Sequence, residues 1–311
     1  MDEEMIKNKK ILVLTSLYNC KNFLHGYLDA LSLIEGKEQI EVLLLHNAPQ
    51  EEELTIINQY LPSLDFVRHI VIPERESLYR TWNRGIELSH SEYITVWNVD
   101  DVRFPDSILQ QAEALDNHPQ AAIAYGDIWI SRQYGICGTM KTNYPIFNPV
   151  TRKKFLSAYH ISCFQMWRKS IHSTIGYYDE QFKCVADFDF QIRTALHFPF
   201  VKTDKPLGIY LEDQPHKLSA NGLQRFERNI VYLRYTNYQC LNLFLLPEAR
   251  KKYQQNRMLM YDEWIDFTEK VPFGWFYKVY GIIYAAFSSI YWLLRQTAKK
   301  IAGFILQKSY F

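Results

Sequence analysis

The sequence predicts an α/β fold with a mostly parallel central sheet flanked by helices and followed by a helical C-terminal extension. Three features carry this expectation. Within the first 130 residues, apolar runs alternate with helix-period segments. Those runs are apolar at nearly every position, so both faces of each strand are expected to be buried under helices. Helical patterns then return from Leu223 onward.

The elements follow in order. ILVLTSLY (11–18), rich in branched apolar residues, predicts the first strand. Asn19 or Asn22 can cap the next helix, in which Phe23, Tyr27, Leu28 and Leu31 share a side. IEVLLLH (40–46) predicts a second strand, 50–60 a helix, and FVRHIVI (66–72) a third strand. A helix with Leu78, Trp82 and Ile86 inward follows. YITVWN (93–98) predicts the fourth strand, Pro105 opens a helix, and AAIAYGDIWI (121–130) predicts the fifth strand. Residues 131–160 read as irregular, with Gly135, Gly138, Pro145 and Pro149. ISCFQMW (161–167) reads as a strand, 187–196 as a helix, and 222–265 as helical. The domain boundary is expected near residue 220, giving a sheet domain over 1–220 and an extension over 221–311.

At 311 residues, 48% apolar and 15% aromatic, the chain can bury a substantial core. Its formal charge of +1 offers no field to steer nucleic acid. Five cysteines without metal-ligand spacing fit a reducing compartment better than a disulfide framework. No apolar leader opens the sequence. The expected location is the cytoplasm, at the inner face of a membrane if the tail described below binds lipid.

In parallel sheets ligands bind beyond the carboxyl ends of strands. Asp100 and Asp101 stand just past the fourth strand. Adjacent carboxylates repel, and a divalent cation relieves that repulsion. Oxygen ligands suit Mg²⁺ or Mn²⁺ completed by phosphates. A capped turn before Pro105 explains the same pair without a metal. A second acidic cluster, Asp187 and Asp189, opens a predicted helix. The helix dipole favours acids there regardless of function; the functional alternative is a general base at an acceptor hydroxyl. The histidines lack zinc spacing, and His216, after an Asp-Gln-Pro turn, is open to surface or ligand roles. The sequence has no nucleophile elbow and no lysine-type phosphate loop.

The order of these segments resembles the family 2 glycosyltransferases of the GT-A type. VLTSLYNCKNFLHGYLDAL is similar to that family's opening strand, Tyr-Asn turn and helix. RESLYRTWNRGIELSHSEYITVWNVDD resembles its Asn-x-Gly segment and acidic metal motif, with Asn83 and Gly85 in the Asn and Gly places. MWRKSIHSTIGYYDEQF and ADFDFQIR resemble its Gly-x-x-Asp-Glu and Glu-Asp-x-Asp segments. The resemblance covers residues 10–215. It implies a GT-A-like, inverting, metal-dependent transferase. A nucleotide-sugar donor and a saccharide or lipid-linked acceptor are the implied substrates.

By the same resemblance, Asp187 would be the base, Asp101 the direct ligand of Mn²⁺ or Mg²⁺, and Asp100 a ligand or ribose contact. Tyr18, Asn19, Asn47, Arg80, Asn83 and Asn98 would border the nucleotide. Asp189 and Arg193 would support the acceptor wall. The sequence departs from the family pattern at several places. Asn98 replaces the first Asp of the acidic motif, Ala186 replaces the Glu before the base, and His46-Asn47-Ala48 stands where a base-contacting Asp is usual. These departures keep a second reading open, a non-catalytic sugar-nucleotide binder or scaffold of the same fold. A nucleotidyltransferase would show a glycine- and basic-rich loop in place of YNCKN.

The last forty residues are aromatic, with flanking Lys and Arg. That composition suits an interfacial helix on an anionic membrane. Packing on the chain's own domain, or on a second subunit in a homo-oligomer, suits it equally.

Overall fold

The computed structural model describes residues 9–142, 161, 163–212, 222–235, 252–254 and 257–266, with the single positions 290, 294 and 297. The chain begins β1 (Ile11–Leu17), α1 (Lys21–Leu33), β2 (Ile40–Asn47), α2 (Glu51–Tyr60), β3 (Val67–Ile72) and α3 (Leu78–Leu88). It continues with β4 (Tyr93–Val96), β5 (Val102–Arg103), α4 (Ser107–Asn117), β6 (Ile123–Tyr125), β7 (Ile128–Ser131) and β8 (Thr139–Lys141). Then come β9 (Met166–Arg168), α5 (His172–Ile175), α6 (Ala186–His197), β10 (Phe200–Lys202), β11 (Gly208–Leu211) and α7 (Leu223–Arg234). A hairpin of β12 (Arg257–Met260) and β13 (Glu263–Asp266) closes the series.

The central sheet has the order β10-β6-β9-β4-β1-β2-β3. All its pairs are parallel except those of β9, which runs antiparallel to β4 and β6. The strand β1 shows why apolar runs form here. Its side chains alternate between faces. Leu12 and Leu14 join one core with Tyr79, Trp82 and Ile86 of α3 and Phe188 and Ile192 of α6. Ile11, Val13 and Leu17 join the other, with Leu24, Tyr27 and Leu28 of α1, Ile57 of α2 and Leu115 of α4. Gly85 permits the close approach of α3 to β1, because a Cβ there would lie 2.3 Å from Leu14 Cδ2.

A smaller sheet, β5-β11-β7-β8, lies beyond the main one in the chain's pairing. This corrects the expectation of one strand over 121–130. The run breaks at Gly126, β6 stays in the central sheet, and β7 pairs with β11 and β8 instead. A Cβ on Gly126 would sit 2.2 Å from Thr203 Oγ1, so the chain turns where only glycine fits.

Three further expectations are revised. The α1 cap is Cys20, whose N–H donates to Glu53 Oε1, rather than Asn19 or Asn22. The strand expected over 161–167 begins only at Met166. The helical reading of 222–265 holds for α7 but not for 257–266, which alternates as a hairpin turning at Tyr261 and Asp262 with positive φ. Among the described residues, no helix is long and apolar enough to cross a membrane. Most of the aromatic tail lies outside the described residues.

Candidate active site

A cleft of about 680 Å³ opens at the carboxyl ends of β1 and β4. It is lined by Tyr18 and Asn19 after β1, Asn98 and Asp100 after β4, Asp187 and Phe188 of α6, and Gln224 and Arg228 of α7. Tyr79 and Trp82 of α3 line it as well. So the structure brings Tyr18, Asn19, Asn98, Asp100 and Asp187 to one cavity.

The turns that hold this edge have unusual backbone. Asn19 has φ 48° and Ala48 has φ 40°. Asparagine tolerates the left-handed region, whereas alanine is strained there. Each follows a central strand, so the strain is concentrated at the ligand edge of the sheet. Tyr18 is 43% exposed, and the Arg75 guanidinium lies 3.9 Å from its ring centroid and donates to its hydroxyl at 3.2 Å. Arg75 was not foreseen, because nothing in a loop arginine's neighbours reveals a ring 57 residues away.

Asp187 sits in the first turn of α6. Its Oδ1 accepts from Tyr79 Oη at 3.2 Å and from the Phe188 N–H at 2.9 Å. Behind it Tyr178 stacks on Tyr79 and on Phe190. Burial, and then the Asp187 carboxylate, push the Tyr178 hydroxyl well above its ordinary range. Two of the thiols lining the cleft, Cys184 and Cys20, are poor nucleophiles. Burial, then the charges of Glu227 and Asp187, push Cys184 up to about 12, and burial with Glu53 raises Cys20 further.

The other expected residues lie in the surrounding frame. Asp101 is 1% exposed; its Oδ1 accepts from the Leu211 N–H at 3.1 Å and its Oδ2 from Asn98 Nδ2 at 3.2 Å. It therefore fastens the end of β4 to β11, and the cleft-lining carboxylate of the pair is Asp100. Asn47 is buried, donates to Thr81 Oγ1 and accepts from the Glu76 N–H, bracing the loop before α3. Asn83 is buried and exchanges two hydrogen bonds with the Tyr178 backbone, at 2.9 Å each. Arg80 pairs with Glu180 at 3.1 Å and with Asp262 at 3.0 Å, tying α3 to the hairpin. None of these four lines the cleft among the described residues. His216 lies outside the described residues.

Asp189 and Arg193 belong to a fully buried network. Arg193 pairs with Asp189 at 2.8 Å, and Arg234 of α7 bridges Asp189 at 2.9 Å and Asp179 at 2.8 Å. Burial opposes the charge on Asp189, but Arg234 and Arg193 hold its carboxyl below the usual range. Asp179 shares only Arg234, and there burial prevails and raises it. This network fixes α7 against α6, and so sets the far wall of the cleft.

Among the described residues, no group of three His, Cys, Asp or Glu side chains forms a metal cage. Mn²⁺ or Mg²⁺ fits in a more limited way. Such ions bind through one or two carboxylates plus phosphate oxygens and water. Asp100 lines the cleft where such an ion would sit, whereas both oxygens of Asp101 accept hydrogen bonds within the frame.

The model of the family "Glycosyl transferase family 2" matches residues 12–176. Curated relatives named PGL/p-HBAD biosynthesis glycosyltransferase, from Mycobacterium bovis and Mycobacterium tuberculosis, are 26% identical over 156 residues. That match covers 49% of this chain and 57% of theirs, so the chain spans little more than half the length of these relatives. S. aureus TarS 1–349 in complex with UDP superposes with a TM-score of 0.56 at 15% identity, over 76% of this chain and 65% of that one. The mannosyltransferase PcManGT of Pyrobaculum calidifontis, in complex with GDP-Man and Mn²⁺, superposes with a TM-score of 0.53 at 9% identity. It covers 95% of this chain and 82% of its own. These two likenesses establish a shared fold.

Proposed function

Since the chain belongs to glycosyl transferase family 2, we propose that it moves a sugar from a nucleotide-sugar donor to a hydroxyl of a saccharide or lipid-linked acceptor, with inversion at the anomeric carbon. The observation that supports this reading is that Asp100 and Asp187 line one cleft at the carboxyl ends of the strands. Tyr18 and Asn19 would border the nucleoside, and Asn98 and Asp100 the ribose and diphosphate. Asp100 would hold a divalent cation. Bound there, Mn²⁺ or Mg²⁺ would offset the charge gathering on the departing diphosphate.

Asp187 takes the proton of the acceptor hydroxyl as that oxygen bonds to the anomeric carbon. The bond from the anomeric carbon to the diphosphate oxygen breaks, and its electron pair leaves with the diphosphate. A carboxylate in the first turn of a helix is a weak base, so proton transfer is concerted with attack. Tyr79 holds the carboxylate in place through Oδ1, the oxygen that the Phe188 N–H also engages.

A second reading, a nucleotide-sugar binder without turnover, is favoured by Asn98 in the acidic motif and by the engagement of Asp101 in the frame. A panel of nucleotide sugars with Mn²⁺ or Mg²⁺, scored by thermal shift and by slow hydrolysis, separates the two. Stabilisation with hydrolysis of one donor supports transfer, and stabilisation without any hydrolysis supports the binder.

A further inference from the structure

We propose that Lys183 and Arg228 form an anion subsite on the Asp187 side of the cleft, one that takes a phosphate group carried by the acceptor. This rests on the reading of Asp187 as the base. Both residues line the cleft, and both are exposed. They are brought together by Glu227. Its buried carboxylate accepts the Lys183 N–H at 3.0 Å and the Cys184 N–H at 2.8 Å, and also the Tyr253 hydroxyl at 2.7 Å. One face of α7 is thereby fastened to the turn that precedes α6. The adjoining face, with Arg228 one turn after Gln224, looks into the cleft beside Lys183.

The two cations differ from the other basic residues of the region. Arg80, Arg193 and Arg234 are each spent on carboxylates in the frame. Among the described residues, neither Lys183 nor Arg228 meets a carboxylate. Lys183 stands four residues before the base, and Arg228 is on the helix that Glu227 fastens beside it. The cleft is lined as well by Asp100, Glu212 and Lys141, and of its three cations these two lie on the Asp187 side of the chain's framework. A guanidinium and an ammonium together suit a phosphate dianion, one through paired donors and the other as a point charge. An uncharged acceptor would give neither cation a partner of opposite charge, whereas a phosphate would engage both. The acceptor class is therefore a phosphate-bearing saccharide, polyol or lipid.

Calorimetric titration of the full chain tests this with sn-glycerol 1-phosphate as probe and glycerol as its uncharged control. A nucleoside diphosphate, UDP or GDP, with Mn²⁺ is titrated in parallel. Wild-type protein is expected to bind glycerol 1-phosphate and not glycerol. Lys183→Gln combined with Arg228→Gln is expected to weaken that binding at least tenfold and to change nucleotide affinity less than threefold. Because both side chains are exposed, the melting temperature should not move. A double variant that instead loses nucleotide binding tenfold overturns the proposal, since the pair would then serve the donor diphosphate. Equal binding of glycerol 1-phosphate by wild type and variant, or none by either, overturns it as well. Pair-dependent phosphate binding without any nucleotide binding would uphold the subsite and overturn the donor reading.

Discussion

Tyr79 donates a hydrogen bond to Asp187 Oδ1 at 3.2 Å, joining α3 to the first turn of α6 across the floor of the cleft. The contact links residues 108 positions apart. It fixes the position of the carboxylate in the cleft. Replacing Tyr79 with Phe keeps the ring stack on Tyr178 and removes only the hydroxyl. A hydrogen bond to a charged group contributes about 1.5–3 kcal/mol. Turnover is therefore expected to fall roughly ten- to hundredfold by the same principle of free energy and rate. Nucleotide affinity, measured by calorimetry, is expected to be unchanged. An equal fall in both would assign Tyr79 to the donor.

The adjacent acids Asp100 and Asp101 are expected to behave differently. Asp100→Asn should weaken Mn²⁺-dependent nucleotide binding, because Asp100 lines the cleft. Asp101→Ala should instead destabilise the fold by about 1–3 kcal/mol, since the Leu211 N–H loses its buried acceptor. Denaturant melts alongside nucleotide titrations read both. The opposite assignment, with Asp101→Ala affecting only metal-dependent binding, would return the ligand role to Asp101.

Arg234 is buried between Asp179 and Asp189. Arg234→Met leaves two carboxylates facing each other without their shared cation. Breaking a buried ion pair in this way costs about 3–5 kcal/mol. The expected result is a large fall in the urea midpoint of the whole domain. A change below about 1 kcal/mol, within the range of surface substitutions, would show that the network does not support α7.

A pH dependence follows from His172. Its Nε2 accepts from the Trp167 indole N–H at 2.9 Å, so Nδ1 carries the proton and donates to the Gly176 carbonyl at 3.0 Å. Both ring nitrogens are satisfied in the neutral form. Burial is the main cause that lowers its pKa from 6.5 to about 4. A depressed folded pKa means the unfolded state binds the proton first, so stability rises with pH across this window. The contribution is complete above about pH 6.5 and is lost as pH falls toward 4; a shift of this size is worth roughly 3 kcal/mol. His69, also lowered to about 4 by burial and by His46, adds in the same direction. Denaturant midpoints measured from pH 7.5 to 4.5 should fall, and His172→Gln should flatten the slope. An unchanged slope in that variant would place the titration elsewhere.

The strands β1, β2, β3 and β4 were legible to within two residues at either end. Their apolar runs are local, and burial on both faces requires such runs. The split at Gly126 was not legible, because AAIAYGDIWI stays apolar across the break. The cause is a distant one, the close approach of Thr203. The hairpin of β12 and β13 was missed for a related reason. Its turn uses Tyr261 and Asp262 at positive φ, without the glycine that usually marks such a turn. At the site, the strand-end position of Asp100 and the helix-start position of Asp187 were readable from spacing. The resemblance implies Asn47, Arg80 and Asn83 as nucleotide contacts, and in the structure each is engaged in the frame. What separates them is the partner each one meets, such as Asp262, which lies 182 residues from Arg80. Lys183 and Arg228 escaped notice because the contact that brings them together belongs to Glu227, which carries no mark in the sequence.

The role of Asp187 is tested most directly by comparing wild-type protein with Asp187→Asn on whichever nucleotide sugar the panel identifies. Turnover and nucleoside diphosphate affinity are to be measured on the same preparations. General-base contributions of about 10²–10⁴-fold set the expected loss in turnover, with affinity held within threefold. Turnover retained in the variant, or turnover and affinity lost together, would contradict the assignment.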